Sequence, residues 1–282
     1  MEFLKMLGLL KGFSRSKMNG KRLIFCINSG RTGSEYLAKL LDTAPEVTAY
    51  HQPKPTMAGK YLSMINESLY HKTYSKRRVK CKAIDQELKK IGKGSVYCET
   101  SNMFIKTFFD VVMTSFKNVE VIVLRRQLSK VLKSFIELGY FTSKIDTKWP
   151  EWLSSPNAAT AAIPCIDKDE NLDHYDICIA YLLDIEARAV RFQKDYPNVK
   201  IHHVRLEHLN SNDSVEHLFQ DLQITPSTNT NKFIGSVQNI MKAEKKSAAI
   251  STSLDYCKER LQRYLEKAQT LGIEIPLTFV VE

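Results

Sequence analysis

Apolar residues in this chain fall into short unbroken runs separated by stretches where they recur every three or four positions. That is the pattern of buried parallel strands alternating with helices. The plainest runs are Leu23-Ile24-Phe25-Cys26-Ile27 and the stretch from Val119 to Leu124. After the first, the chain passes through Asn28-Ser29-Gly30-Arg31-Thr32-Gly33-Ser34 and then carries Tyr36, Leu37, Leu40 and Leu41 at helical spacing, with Ser34 placed to cap that helix. Further strands are expected over 47–51, 95–98 and 199–205, and helices over 57–70, 103–116, 128–138, 174–196, 214–222 and 253–270. This alternation is α/β, with a central, mostly parallel sheet flanked by helices in three layers. No internal repeat or low-complexity tract divides residues 1–282, which read as a single domain.

Two stretches depart from the pattern. Residues 140–171 carry Trp149, Pro150, Trp152, Pro156 and Pro164 with little periodicity, and a loop of that length is expected either to form a lid over a substrate or to be anchored on the core. The run Lys76-Arg77-Arg78-Val79-Lys80 is expected to be a solvated surface, as charge blocks generally are. The opening MEFLKMLGLLKGF is apolar but interrupted by Lys5 and Lys11. It is too short to span a bilayer and has no secretory cleavage pattern, so it is expected to pack on the body as a helix, the alternative being an amphipathic surface anchor.

Composition narrows the partners. With 41 basic and 31 acidic residues the net charge is +10, a field that concentrates polyanions of any kind, nucleic acid included. The six cysteines, Cys26, Cys81, Cys98, Cys165, Cys178 and Cys257, are scattered without Cys-x-x-Cys pairs. Neither a zinc site nor a disulfide framework is visible, which leads us to expect reduced thiols, no metal and a cytoplasmic protein with no membrane partner.

The chemistry concentrates at strand ends. In the loop from Asn28 to Ser34, Gly30 and Gly33 permit positive φ and close approach. Backbone amides and a helix N-terminus there converge on one spot, with Arg31 adding a full charge: a phosphate cradle. A nucleotide-hydrolysing loop requires Gly-x-x-x-x-Gly-Lys-[Ser/Thr]. Here the glycines are three apart and Ser34 follows the second, which disfavours a kinase or ATPase. The run ending at Leu124 is followed by Arg125-Arg126, with Ser134 eight residues past Arg126, about two helical turns on.

Taken together, the two motifs resemble the sulfotransferases that use 3′-phosphoadenosine 5′-phosphosulfate (PAPS), over residues from about 23 to 222. The resemblance implies a P-loop-like fold and a cradle of Ser29, Gly30, Arg31, Thr32, Gly33, Ser34, Glu35 and Tyr36 for the 5′-phosphosulfate. It implies Arg126 and Ser134 for the 3′-phosphate, with Arg205 from the segment before the final helices, and release of 3′-phosphoadenosine 5′-phosphate (PAP). In many family members the strand before the Arg-x7-Ser motif delivers a catalytic base, and the matching residue here is Glu99. The chain also departs from the family: Leu206 stands where cytosolic members often carry an adenine-stacking Tyr, Gln52 where related bacterial members tend to have Glu, and the nearest basic segment to the family's late Gly-x-x-Gly loop is 239–246.

The prolines of His51-Gln52-Pro53-Lys54-Pro55 forbid helix and central strand, so His51 projects from a strand end into the crevice where such sheets bind ligands. Sulfuryl transfer to an alcohol or amine needs a base near working pH. His51 has the suitable intrinsic pKa, whereas Glu99 needs burial to raise its own. Arg31, His51 and Glu99 are therefore the catalytic candidates. The chain is somewhat similar to cyanobacterial tailoring sulfotransferases, including those acting on saxitoxin-type guanidinium alkaloids, which implies a small-molecule acceptor and no nucleic-acid partner. Two rival readings remain at this level: a P-loop nucleotide or small-molecule kinase, and a basic nucleic-acid-binding module without turnover. The sequence leaves the oligomeric state open.

Overall fold

A computed structural model describes residues 20–92, 95–142, 149–166, 172–236 and 250–275. The N-terminal segment, the basic segment 239–246 and part of the 140–171 loop lie outside them. Five strands, β1 (Arg22–Ile27), β2 (Val47–Tyr50), β3 (Val96–Glu99), β4 (Val119–Arg125) and β5 (Lys200–Arg205), form one sheet in the order β2-β3-β1-β4-β5, every pair parallel. Leu23, Phe25 and Ile27 of β1 face one core while Ile24 and Cys26 face the other, which is why that strand reads as an unbroken apolar run.

On the second face lie α1 (Ser34–Leu41), α8 (Asn212–Asp221) and α9 (Thr228–Phe233). The first face, the larger core, is covered by α2 (Lys60–Glu67), α3 (Tyr70–Arg77), α4 (Val79–Lys90), α5 (Phe109–Ser115), α6 (Leu128–Glu137), α7 (His174–Asp195) and α10 (Leu254–Thr270). The connection leaving β1 crosses to β2 on one side, and the one leaving β4 crosses to β5 on the other. β1 and β4 are neighbours, so their C-terminal ends flank the switch point where open α/β sheets bind ligands.

Four local expectations are corrected. Gly33, not Ser34, is the N-cap of α1; it sits at φ 87° and Ser34 makes no capping bond. The helix expected over 57–70 is two, α2 and α3, broken at Ser68 and Leu69, with Met57 outside at φ 62°. The helix expected over 103–116 begins as a π-helical turn, Phe104–Phe108, before α5. The basic run is only partly solvated: Lys76 is exposed, whereas Arg77 and Lys80 are buried. The Arg77 guanidinium grips the Asp110 carboxylate with both Nη atoms and donates further to Thr73 Oγ1, Thr107 O and Tyr70 O. Lys80 pairs with Glu99 at 2.8 Å.

The described part of the 140–171 loop is fastened down. Lys106 Nζ donates to Trp152 O at 2.6 Å, Gly59 N donates to Glu151 O, and Ser155 N donates to Asn66 Oδ1. All six cysteines are free of disulfides and five are buried. Burial holds the Cys26 thiol up at about 12, so it stays protonated and inert.

Candidate functional site

The loop after β1 is a row of left-handed residues. Gly30 has φ 88°, Arg31 57° and Gly33 87°, a succession that turns neighbouring N–H groups into a concave anion nest. Asn28 Oδ1 accepts from Gly30 N at 3.1 Å and shapes the turn. The free amides therefore begin beyond Gly30, and the first turn of α1 leaves its own N–H groups without helical partners. Gly33 is required twice over: a non-glycine residue there would be left-handed, costing about 1–2 kcal/mol, and a Cβ would overlap the Leu206 side chain.

Within this nest Thr32 is 3% exposed and its Oγ1 has no hydrogen-bond partner. A buried hydroxyl left unmatched costs about 1–3 kcal/mol, a cost that an anion in the nest removes. An oxyanion therefore fits the residues present.

Arg126 follows β4 and sits beside the loop. Its Nη1 donates to Arg31 O at 3.2 Å, and Arg31 Nε donates to Ser134 Oγ on α6 at 3.1 Å. The two motifs, 103 residues apart between Arg31 and Ser134, are thus joined directly by hydrogen bonds. Burial depresses the Arg126 pKa and the nearby Arg31 lowers it further, while Glu207 opposes. A lowered pKa beside a second arginine is the electrostatics expected where a cation lacks a compensating negative charge.

Other expected residues are placed less directly. Tyr36 turns into the core, donating to Leu209 O and accepting from Gly235 N, so only its amide faces the nest. Glu35 pairs with Lys39 at 2.9 Å, a hydrogen bond that lowers its pKa. Ser29 Oγ donates to Gly30 O, and Ser29 O accepts from Tyr181 OH at 2.9 Å. Arg205 ends β5 opposite Arg125, separated from the β1 loop by β4; it is the next residue, Leu206, that touches Gly33.

The two candidate bases part company. Glu99 is 0% exposed; burial raises its pKa, opposed by Lys80 and by Tyr97, whose hydroxyl donates to it at 2.8 Å. This carboxylate is enclosed by its partners in the structure. Lys80 also donates to Pro53 O and Pro55 O, which ties Glu99 to the loop carrying His51. His51 remains partly open and bonds Thr100 Oγ1 through Nδ1 at 3.3 Å. Burial lowers its pKa below the ordinary value of 6.5, with Glu35 and a hydrogen bond to the Thr100 backbone opposing and Lys39 assisting, which favours the neutral ring at pH 7.

Sequence reasoning missed Thr100, Asn102, Tyr140 and Tyr181. Asn102 lies against Gly30 and accepts from Gln52 Nε2 at 3.2 Å, while partly buried Tyr140 lies in the field of Arg31. Their one signal is position: Thr100 and Asn102 follow β3 at its ligand-facing end.

The fold has known counterparts. A sulfotransferase domain from the Synechococcus PCC 7002 olefin synthase aligns over 94% of this chain and 100% of its own, with a TM-score of 0.51 at 12% identity. The chain has a sulfotransferase fold. A sulfotransferase from Alicyclobacillus acidocaldarius aligns over 88% of this chain and 94% of its own (TM-score 0.47, 12% identity). The sulfotransferase domain from the curacin biosynthetic pathway aligns over 91% and 99% (TM-score 0.45, 12% identity). No protein-family model and no curated protein matches the chain. In this sulfotransferase fold no helix among the described residues is long and apolar enough to cross a membrane.

Proposed function

We propose that the chain is a sulfotransferase moving a sulfuryl group from PAPS to a hydroxyl or amine of a small molecule, with PAP leaving. The observation that carries this is the merging of the β1 nest with Arg126 and Ser134 through Arg31. One surface with two anion-binding ends suits a donor phosphorylated at both its 3′ and 5′ positions. The donor supplies an activated sulfuryl group on its 5′-phosphate.

The chain's own residues do the rest. Amides from Arg31 to Tyr36, with Thr32 Oγ1 and Ser34, hold the 5′ end, while Arg126 and Ser134 hold the 3′ end. Ser29, Gly30 and Gly33 set the loop's shape. As the acceptor oxygen or nitrogen bonds to sulfur, the bond from sulfur to the 5′-phosphate oxygen breaks and its electron pair stays on PAP. Loop amides and Arg31 stabilise that developing charge. His51, neutral at pH 7, receives the acceptor's proton at Nε2. Turnover then rises with pH through the His51 pKa, which lies below 6.5, and levels off above it.

For the acceptor we propose a compact natural product, of which saxitoxin-type alkaloids are one example. Phe141 packs on Trp149 and Tyr181 with ring centroids 4.8 and 5.5 Å apart. Tyr181 is fully buried beneath the nest and donates to Ser29 O, so the aromatic surface left for an acceptor near the reacting end is that of the partly buried Phe141 and Trp149. Incubation with ³⁵S-labelled donor and a metabolite extract is expected to yield a labelled small molecule. In parallel, PAP is expected to raise the melting temperature more than ATP with magnesium or a short oligonucleotide does. A larger shift with ATP would favour a kinase, and one with the oligonucleotide a nucleic-acid-binding module; either overturns the reading.

A further inference from the structure

We propose that Thr100 is a positioning residue that fixes the tautomer of His51. Thr100 follows β3, is fully buried, and extends the β2–β3 ladder by donating its amide to Tyr50 O at 3.0 Å. Its hydroxyl has one proton. That proton goes to Ser34 O, which can only accept and at 2.8 Å is the shorter of the oxygen's two contacts. Toward His51 Nδ1, at 3.3 Å, the same oxygen is therefore an acceptor, and Nδ1 carries the ring hydrogen. The opposite tautomer would set two lone pairs against each other.

The consequence falls on the other ring nitrogen. With hydrogen on Nδ1, Nε2 holds a lone pair, and the bond made by one ring nitrogen decides the state of the other. Ser34 is the first residue of α1, so the chain Nδ1–H to Thr100 Oγ1 to Ser34 O ties the ring to the helix whose N-terminus forms the nest. The charged groups facing the ring are Glu35 and Lys39, both on α1, and they pair with each other; the Thr100 backbone also bonds the ring and favours its protonated form, a contact that every side-chain variant at 100 keeps, so the variants isolate the hydroxyl. Thr100 thus does for His51 what a carboxylate does for the histidine of a hydrolytic triad, without adding a charge.

The inference deepens the proposed reaction, which assigns His51 as base, but its first readout is independent of turnover. In the full-length protein, ¹⁵N shifts of the His51 ring at pH 8 should show a protonated Nδ1 and an unprotonated Nε2. Thr100→Ser should keep that pattern. Thr100→Val, of equal size but without the hydroxyl, should move a measurable fraction of the hydrogen to Nε2. An Nε2-protonated ring in the parent protein, or an unchanged ring in Thr100→Val, would overturn the inference.

With donor and acceptor present, Thr100→Val should lower kcat by roughly 10- to 100-fold, a positioning-residue effect. PAP affinity should stay unchanged, and Thr100→Ser should restore the rate. A Thr100→Val enzyme with parental kcat would also overturn the inference. Absence of sulfuryl transfer in the parent protein would count against the functional reading alone and leave the tautomer result standing.

Discussion

Arg126→Ala is expected to weaken PAP binding by about 10²- to 10³-fold while changing 5′-AMP binding little. Arg126 is half-buried at the end of β4, and both burial and Arg31 depress its pKa. Cations held together against their own repulsion gain the most from a dianion. Truncating one partner of a buried, hydrogen-bonded charge pair costs about 2–5 kcal/mol, and each 1.4 kcal/mol is a factor of ten. Arg126→Lys should fall between the two, keeping the charge and losing the planar fork. Calorimetric titration reads all three, and an undiminished PAP affinity in Arg126→Ala would remove the residue from the site.

Asp110→Ala is expected to destabilise the fold by about 3–5 kcal/mol, because it strands a buried guanidinium. Arg77 is 0% exposed, and besides the carboxylate its bonds go to the neutral acceptors of Thr73, Thr107 and Tyr70, none of which balances its charge. Urea denaturation should show a lower midpoint with an unchanged slope. The double replacement Arg77→Met/Asp110→Leu should recover most of the loss, since apolar residues of similar volume often match a buried ion pair. An Asp110→Ala variant within about 1 kcal/mol of the parent would show that the pair does not carry the stability assigned to it here.

These variants also mark where the sequence is readable. β1, its loop and α1, like β4 with Arg126 and α6, rest on local periodicity and local chemistry, and both are evident in the chain itself. Long-range partnerships are not. Lys76 to Lys80 forms a charge block locally, and only the fold brings Asp110 to Arg77 and Glu99 to Lys80. Glu99 looks like a base because it ends a strand at the crevice, but the side chain that neutralises it comes from α4. Ser34 has the right chemistry for a cap, yet Leu206 packed on Gly33 helps select the left-handed glycine.

The same limit applies to the candidate site. Two candidate anion-binding motifs can be seen in the chain, but nothing local shows that Arg31 reaches Ser134. Thr100 and Asn102 carry no motif, and their importance comes from what lies opposite them across β2 and the β1 loop.

The central claim is that one adenosine bearing two phosphates spans the β1 nest and the Arg126–Ser134 end. Isothermal titration of the unaltered protein with PAP, 5′-AMP and 3′-AMP tests it most directly. The account predicts one PAP per chain, bound far more tightly than either monophosphate. If PAP binds no better than 5′-AMP, or two molecules bind per chain, the two ends do not serve a single ligand and the account is contradicted.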